Sequence, residues 1–305
     1  MSKKLNINIS RLCPRQVLIV ILGPTASGKS DLAVKLAKKF NGEVISADSR
    51  QVYKGMDIGT GKITKKEMKG VTHYLLNIAS PKKRFTVTQY RKLALKAIDK
   101  IFKKGKIPIL CGGTGFYIQA VIDGLVIPQV KPDWRLRFRL NQLSAGQLFE
   151  RLKKLDPQRA KTIEKKNKRR LLRALEIFIK TKKPVPKLKK KPLPYPFLMI
   201  GIKKTNLRTL IKKRFSKWLK QGLLKEVKEL KKDGLSWKKI EEFGIHYRQS
   251  SQYLQNKINY QQMTENSLNN LQHYAKRQMT WFKKDKRIHW IKKQPKAEKL
   301  VKKFL

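Results

Sequence analysis

An α/β fold with a parallel sheet at its core and a basic, mainly helical insertion is what three features of this 305-residue sequence predict. First, the short β-branched run Val17-Leu-Ile-Val-Ile-Leu22 ends at a glycine, as a strand buried on both faces of a parallel sheet does. Second, further apolar runs at Val44–Ala47, Ile107–Cys111 and Phe197–Ile202 alternate with helical patterns, which implies parallel pairing with helical crossovers. Third, the stretch Leu125–Pro196 between the last two runs holds 22 Lys and Arg against 5 Asp and Glu, a local net charge of +17. The expected organisation is therefore a core in two parts, residues 1–124 and 197–305, with an insertion at 125–196 and a mainly helical second part.

Taken in order, the first strand leads into a helix expected from Lys29 to Phe40, and a second helix is expected over Val87–Lys103. The insertion reads as helical at Trp134–Leu155 and Lys168–Lys180. Its last part, Thr181–Pro196, has five prolines, six lysines and no acid, which disfavours helix and sheet and predicts a linker or a mobile basic loop. After Ile202, Leu207, Leu210, Ile211, Phe215, Trp218 and Leu219 recur at helical spacing, as do Leu268, Leu271, Ala275, Met279 and Phe282. These stripes are read as core packing.

Forty per cent of the residues are hydrophobic, enough for a sizeable core, yet 74 Lys and Arg stand against 20 Asp and Glu, a net charge of +54. A polyanion, nucleic acid first among them, is the expected partner. Cys13 and Cys111 are too far apart for a C-x-x-C metal site and too few for a disulfide framework, which excludes a structural zinc and fits a reducing compartment. The six-residue run Val17–Leu22 is too short to cross a membrane and lies too far inside for a secretory signal, so a cytosolic, membrane-free protein is expected.

Between that strand and helix, Gly23, Pro24, Thr25, Ala26, Ser27, Gly28, Lys29 and Ser30 satisfy G-x-x-x-x-G-K-[ST], the phosphate loop of the NTPase class. The N–H groups of such a loop converge at a helix N-terminus and bind a diphosphate; Lys29 adds positive charge and Ser30 a hydroxyl suited to Mg²⁺. The loop alone does not choose the diphosphate: ATP is the default, and an ATPase or a small-molecule kinase remains open.

Five blocks, in order, extend the reading: Gly23–Ser30; Ser46-Ala-Asp-Ser-Arg-Gln-Val-Tyr-Lys-Gly-Met-Asp-Ile-Gly-Thr60; Gly112-Gly-Thr-Gly-Phe-Tyr117; Arg169-Arg-Leu-Leu-Arg-Ala-Leu-Glu176; and Tyr274-Ala-Lys-Arg-Gln-Met-Thr-Trp-Phe282. With them the sequence resembles the bacterial tRNA dimethylallyltransferases, also called tRNA isopentenyltransferases. The resemblance implies that the loop holds dimethylallyl diphosphate rather than ATP, and that the enzyme alkylates the adenine 3′ to the anticodon. It implies tRNA contacts at Asp48, Ser49, Arg50, Gln51 and Thr114, and at Arg169, Arg170, Leu171, Leu172 and Arg173. A monomer using Mg²⁺ is expected. Three positions depart from the pattern: Asn167 where an Asp is usual, and Gln272 and Leu210 where an arginine is common.

Adenine's exocyclic amine is a weak nucleophile, so the transfer needs proton removal at one end and charge stabilisation at the other. Asp48 follows a strand end, where ligands gather in open parallel sheets. From the residues alone it is either the base or an acid that holds Mg²⁺ through water; the resemblance implies the base. Arg214 matches the family's second helix arginine and is the candidate partner for the leaving diphosphate. Thr114 either reaches substrate or belongs to a plain strand-to-helix turn. The adenine must be extruded from the anticodon loop; Gln51 suits a base edge, while Arg50, Arg169, Arg170 and Arg173 suit phosphates or splayed bases, Arg170 and Arg173 from one helix face. His73, His246, His273 and His289 show no ligand spacing and read as structural. Two rival readings are an ATP-dependent kinase of a small molecule or nucleoside, and a non-catalytic RNA-binding protein.

Overall fold

The computed structural model describes residues 16–126, 128, 130–186 and 189–305, and the chain divides into two compact units. One comprises the residues up to Asp123 together with Pro192–Leu305; the other is the insertion, Gly124–Lys191. The first unit begins with β1 (Leu18–Leu22), α1 (Lys29–Lys39), β2 (Gly42–Ser46), α2 (Lys65–Met68), β3 (His73–Tyr74), α3 (Val87–Lys103), β4 (Ile107–Gly112) and α4 (Gly115–Ile122). The insertion holds β5 (Leu125–Val126), α5 (Trp134–Asn141), α6 (Ala145–Leu155), α7 (Pro157–Thr162), α8 (Lys168–Thr181) and β6 (Lys189–Lys190). The first unit resumes with β7 (Phe197–Ile202), α9 (Leu207–Lys220), α10 (Leu223–Lys232), α11 (Trp237–Glu241), α12 (Ile245–Leu254), α13 (Tyr260–Phe282), β8 (Ile288–Ile291) and α14 (Gln294–Phe304).

The core is α/β, as the strand and helix alternation requires. Six strands pair in the order β3-β2-β4-β1-β7-β8, every pair parallel. All five residues of β1 are fully buried, and they divide by the period of two. Leu18, Val20 and Leu22 pack with Tyr90, Ile98, Ile118 and Val121 of α3 and α4. Ile19 and Ile21 pack on the other face with Leu32 and Leu36 of α1 and with Ala297 and Val301 of α14. Burying each such side chain is worth about 1.5–3 kcal/mol. Strand β1 is thereby fixed, and with it the loop that leaves its carboxyl end.

A third apolar cluster joins Ile211, Phe215 and Trp218 of α9, Val227 of α10, Tyr247 of α12 and Leu271 and Ala275 of α13 to Val52, Tyr53 and Met56. Most residues of the helical stripes expected after Ile202 are thus core packing, and they carry the segment that follows Asp48. In the insertion, Leu136 and Leu140 of α5, Leu148 and Leu152 of α6, and Leu171 and Leu175 of α8 form a separate small core.

Three expectations change. The run Trp134–Leu155 is two helices, because Ser144 and Gln147 form a capping box that starts α6 afresh. Thr181–Pro196 is not a plain linker or loop: β6 pairs with β5 in a short antiparallel ladder, and the Val185 N–H donates to Asp156 Oδ2 at 2.7 Å. Its last residues, Pro192–Pro196, belong to the first unit, where Tyr195 meets Phe102 edge-to-face and Pro196 accepts from the Leu18 N–H. The short strands β3 and β8 extend the sheet beyond the four strands expected. Cys13, Lys187 and Leu188 lie outside the described residues. No helix among the described residues is long and apolar enough to cross a membrane.

Candidate active site

The phosphate loop leaves the buried end of β1 and enters α1 at Gly28, whose φ of 83° is left-handed, a conformation that any side chain would strain. The helix N-terminus then presents its unpaired N–H groups to the loop's concave side. Lys29 folds back over the loop, its Nζ donating to the Pro24 carbonyl at 3.2 Å. Burial, and next the nearby Arg214 guanidinium, lower its ammonium below the ordinary lysine value. An anion bound there would replace the hydration that the ammonium has lost. Ser30 follows on the first turn of α1, half-buried, and Ser27 Oγ is buried with no hydrogen-bond partner among the described residues.

Because β4 lies between β1 and β2, its exit loop sits between the phosphate loop and Asp48. Gly112 makes this possible, since a methyl group there would overlap the Ala47 carbonyl. The approach is fastened by hydrogen bonds: the Thr114 N–H donates to Ala47 O at 3.2 Å, and Thr114 Oγ1 accepts from the Ser49 N–H at 3.0 Å. Asp48 Oδ1 accepts the Arg50 N–H at 2.8 Å and, more weakly, the Gln51 N–H at 3.4 Å, closing a turn on itself. Among the described residues no donor reaches Oδ2. One oxygen orients the carboxylate and the other is available.

Arg214 approaches the phosphate loop from α9. Its Nη2 donates to the Gly61 carbonyl at 3.1 Å, its guanidinium lies 5.0 Å from the Trp218 ring centroid, and its charge acts on Lys29 while that of Asp48 acts on it. Burial lowers its pKa from the ordinary arginine value. Lys29, Asp48, Thr114 and Arg214, far apart in sequence, are therefore brought together.

The structure adds residues to which the sequence reading gave no role. Gln278 of α13, only 7% exposed, accepts the Thr25 N–H on Oε1 at 2.8 Å and donates from Nε2 to the Gly113 carbonyl at 2.7 Å. One amide thus ties the phosphate loop to the loop that carries Thr114; it lay inside the block Tyr274–Phe282, but nothing in a single sequence shows that it points inward. Glu226 accepts three successive backbone N–H groups, Asp57, Ile58 and Gly59, at 2.6 to 3.0 Å, and the Tyr247 hydroxyl at 2.7 Å. Buried Lys62 uses its three protons on Tyr53 O, Asp57 Oδ1 and Asn77 Oδ1. Both hold the segment between Gln51 and Gly61. His246 packs against Trp218 and Tyr247, with ring centroids 4.9 and 5.0 Å away, and burial lowers its pKa to about 3, which keeps the imidazole neutral. Burial pushes the Cys111 thiol up to about 12.

Several expected contact residues are committed elsewhere. Gln51 does not present its amide to a base edge: Nε2 donates to Gly61 O at 3.2 Å and Thr60 O at 3.4 Å, and Oε1 accepts from Ser46 Oγ. Arg50 donates to the Glu242 carbonyl at 3.2 Å and stays half-buried. In the insertion, Leu171 is 0% exposed, so its side chain is not a surface contact, and half-buried Leu172 packs against the same core. Arg173 is turned inward onto Glu176 Oε2 at 2.5 Å and the Val130 carbonyl at 2.9 Å, whereas Arg170, paired with Glu164, and Arg169 are exposed. Asn167, the departure at that helix start, caps α8 by accepting the Arg170 N–H and donates to Glu164 Oε2 at 2.8 Å. An amide serves this cap as well as a carboxylate does. Leu210 lines a cavity beside Ser27 and Gly28.

Among the described residues no group of three or more His, Cys, Asp or Glu stands ready to hold a metal ion. The donor set nevertheless suits a magnesium ion bound mainly through substrate, because Mg²⁺ keeps most of its waters and takes one or two protein oxygens beside phosphate oxygens. The half-buried Ser30 hydroxyl at the loop offers one of them.

The family described as IPP transferase matches residues 51–285. The chain is similar to the tRNA dimethylallyltransferase of Acetivibrio thermocellus, 40% identical over 297 residues that cover 93% of this chain and 95% of that one. It is also similar to that of Staphylococcus epidermidis, 39% identical over 91% of this chain and 87% of the relative. Among solved structures, the full-length tRNA isopentenylpyrophosphate transferase of Bacillus halodurans aligns with a TM-score of 0.68 at 37% identity, covering 91% of this chain and 90% of that one. A eukaryotic dimethylallyltransferase acting on tRNA aligns with a TM-score of 0.72 at 30% identity, covering 87% and 69%.

Proposed function

The chain belongs to the IPP transferase family, and from that premise we infer that it transfers a dimethylallyl group from dimethylallyl diphosphate to the exocyclic amine of the adenine 3′ to the anticodon in tRNA, in the cytoplasm. In the transfer, a bond forms between the amine nitrogen and C1 of the dimethylallyl group while the bond from C1 to the diphosphate oxygen breaks. The electron pair leaves with diphosphate and the amine proton goes to a base. The observation that carries this reading is that Asp48, with one oxygen open, follows β2 beside the β4 exit loop that also borders the phosphate loop, close enough for its charge to act on Lys29 and Arg214.

Each residue then has a task. The N–H groups of Gly28, Lys29 and Ser30 at the start of α1 and the Lys29 ammonium hold the diphosphate, and Arg214 stabilises the charge that grows on it, a contribution worth about 3–4 kcal/mol when one such donor is removed elsewhere. Asp48 accepts the proton through Oδ2. Thr114 and Ser49 keep that carboxylate facing the loop. A divalent ion, for which we propose Mg²⁺, would be held by Ser30 and diphosphate oxygens and would supply further charge neutralisation to the leaving group. The exposed Arg169 and Arg170 contact tRNA, while Arg173 and Leu171 act as supports for them.

The test is a reaction of purified protein, Mg²⁺ and unmodified tRNA with either dimethylallyl diphosphate or ATP, followed by mass spectrometry of the nucleosides. Dimethylallyl-adenosine formed only with the prenyl donor is the expected result. Phosphoryl transfer from ATP without prenylation would restore the kinase reading.

A further inference from the structure

Helix α5 already spends its inner face on the core of the insertion, where Leu136 and Leu140 are buried. Its outer face is nonetheless aromatic: Phe138 is 71% exposed and Trp134 59%. At about 100° per residue, the outward side chains follow one another around the helix in the order Arg137, Asn141, Trp134, Phe138, Arg135, Arg139, with Asn141 at the far end of the helix from Trp134. Two aromatic rings are thus set side by side between guanidinium groups, with Arg135 and Arg139 exposed.

This face is rigid. The Arg137 guanidinium lies 5.2 Å from the Trp134 ring centroid and is held by Glu176, whose carboxylate accepts Nε at 2.8 Å and Nη2 at 2.7 Å. Glu176 also accepts the Asp133 N–H at 2.7 Å, and Asp133 caps the helix through the Leu136 N–H. A buried carboxylate therefore fixes both the start of α5 and the cation beside its first aromatic residue.

The face also shows which partner it suits. Only 18 of the 74 basic residues in the chain are arginines, yet the eight residues of α5 contain three arginines and no lysine. Lysine would supply the same charge; what arginine adds is a flat guanidinium that stacks. Exposed large apolar side chains mark contact surfaces, and the surrounding unit carries a net charge of +17, which selects a polyanion over a neutral or basic protein. Aromatic rings and guanidinium planes together are the chemistry that receives unpaired bases.

We propose that the outer face of α5, centred on Phe138 and flanked by Trp134, Arg135 and Arg139, is a stacking surface for unpaired bases of the RNA substrate. The proposal rests on the reading that the substrate is tRNA. It gives the insertion a base-contacting surface distinct from the arginines of α8.

The test compares the full-length wild-type protein with Phe138→Ala, Phe138→Leu and Arg139→Lys for binding of an unmodified anticodon stem-loop and of a fully paired RNA duplex of equal charge. Prenylation of the stem-loop is measured in parallel. Both Phe138 variants should bind the stem-loop about tenfold more weakly, since stacking on one aromatic ring is typically worth that much or more. Their affinity for the duplex should be unchanged. Arg139→Lys should weaken stem-loop binding while keeping the wild-type salt slope, because its charge is retained. In Phe138→Leu the apolar bulk and the fold persist, so its loss isolates the ring. Wild-type affinity for the stem-loop in both Phe138 variants, or an equal loss for duplex and stem-loop, would overturn the stacking surface. A wild-type protein that neither binds nor prenylates the stem-loop would instead overturn the tRNA reading itself.

Discussion

In the phosphate-loop unit the cations that matter lie within the fold, each with named partners: Lys29 over the Pro24 carbonyl, Lys62 among three oxygens, Arg214 on Gly61 and Trp218. In the insertion most of the described lysines and arginines face water, and two that turn inward, Arg137 and Arg173, share the buried carboxylate of Glu176. The first unit uses charge by position and the second by density and shape. A single substitution in the first should therefore change chemistry without changing RNA affinity, and in the second the reverse.

The largest effect that can break this comparison is expected at Lys29. Lys29→Ala removes one charge among 74 but the one nearest the diphosphate, so single-turnover prenylation should fall by about 10²–10³ while tRNA affinity stays within about twofold of wild type. A large loss of tRNA affinity with normal turnover would show that this charge is not positional. In the insertion, burial would raise the Glu176 pKa, but hydrogen bonds from Arg137, the Asp133 N–H and Arg173 prevail and hold it below the usual carboxylate value. Glu176→Ala leaves two arginines without their partner and should destabilise the insertion by about 3 kcal/mol. Limited proteolysis would show early cleavage within residues 124–191, while dimethylallyl diphosphate still protects the other unit. Cleavage elsewhere first would contradict the separation.

A smaller effect sharpens the contrast by pH. His246, lowered to about 3 from an ordinary value of 6.5, stays neutral in the folded protein. The unfolded chain takes up its proton below about pH 6.5, so this residue makes stability fall as pH drops through that window, by roughly 2 kcal/mol at pH 5. His246→Leu should flatten that loss in urea titrations at pH 7.5 and 5; an unchanged acid limb would remove His246 from the account. The smallest effect is expected at Gln278. Gln278→Ala deletes two hydrogen bonds that join the phosphate loop to the Gly113 loop and should cost about tenfold in kcat/KM for dimethylallyl diphosphate, with tRNA affinity intact. A change in tRNA affinity alone would assign it to RNA instead.

How much of this could be read from the chain differs between the same two regions. The sheet, the loop and Asp48 were legible because a phosphate loop needs a buried strand, a glycine turn and a helix in immediate succession. Strands β3 and β8 were not, since strands of two and four residues carry too little pattern to register. Thr114 was a candidate from its glycine-flanked place after a strand end and Arg214 only through family resemblance, and the structure supplies their neighbours. Gln278 and Glu226 were missed because an inward-pointing polar side chain on an amphipathic helix looks like any other surface polar residue until its partners are known. In the insertion, Arg170 and Arg173 were expected to share one exposed helix face, but a buried Glu176 three residues beyond Arg173 turns that arginine inward. Only burial distinguishes the two.

The central claim is that Asp48 takes the amine proton while the phosphate loop holds the leaving diphosphate. Asp48→Asn retains the acceptor oxygen that closes the turn and removes only the ability to take the proton. A magnesium titration of its single-turnover rate tests the claim most directly. A rate lower by about 10²–10⁴ at every magnesium concentration, with dimethylallyl diphosphate still binding normally, is the predicted result. Recovery toward the wild-type rate at high magnesium would contradict it and make Asp48 a holder of the ion.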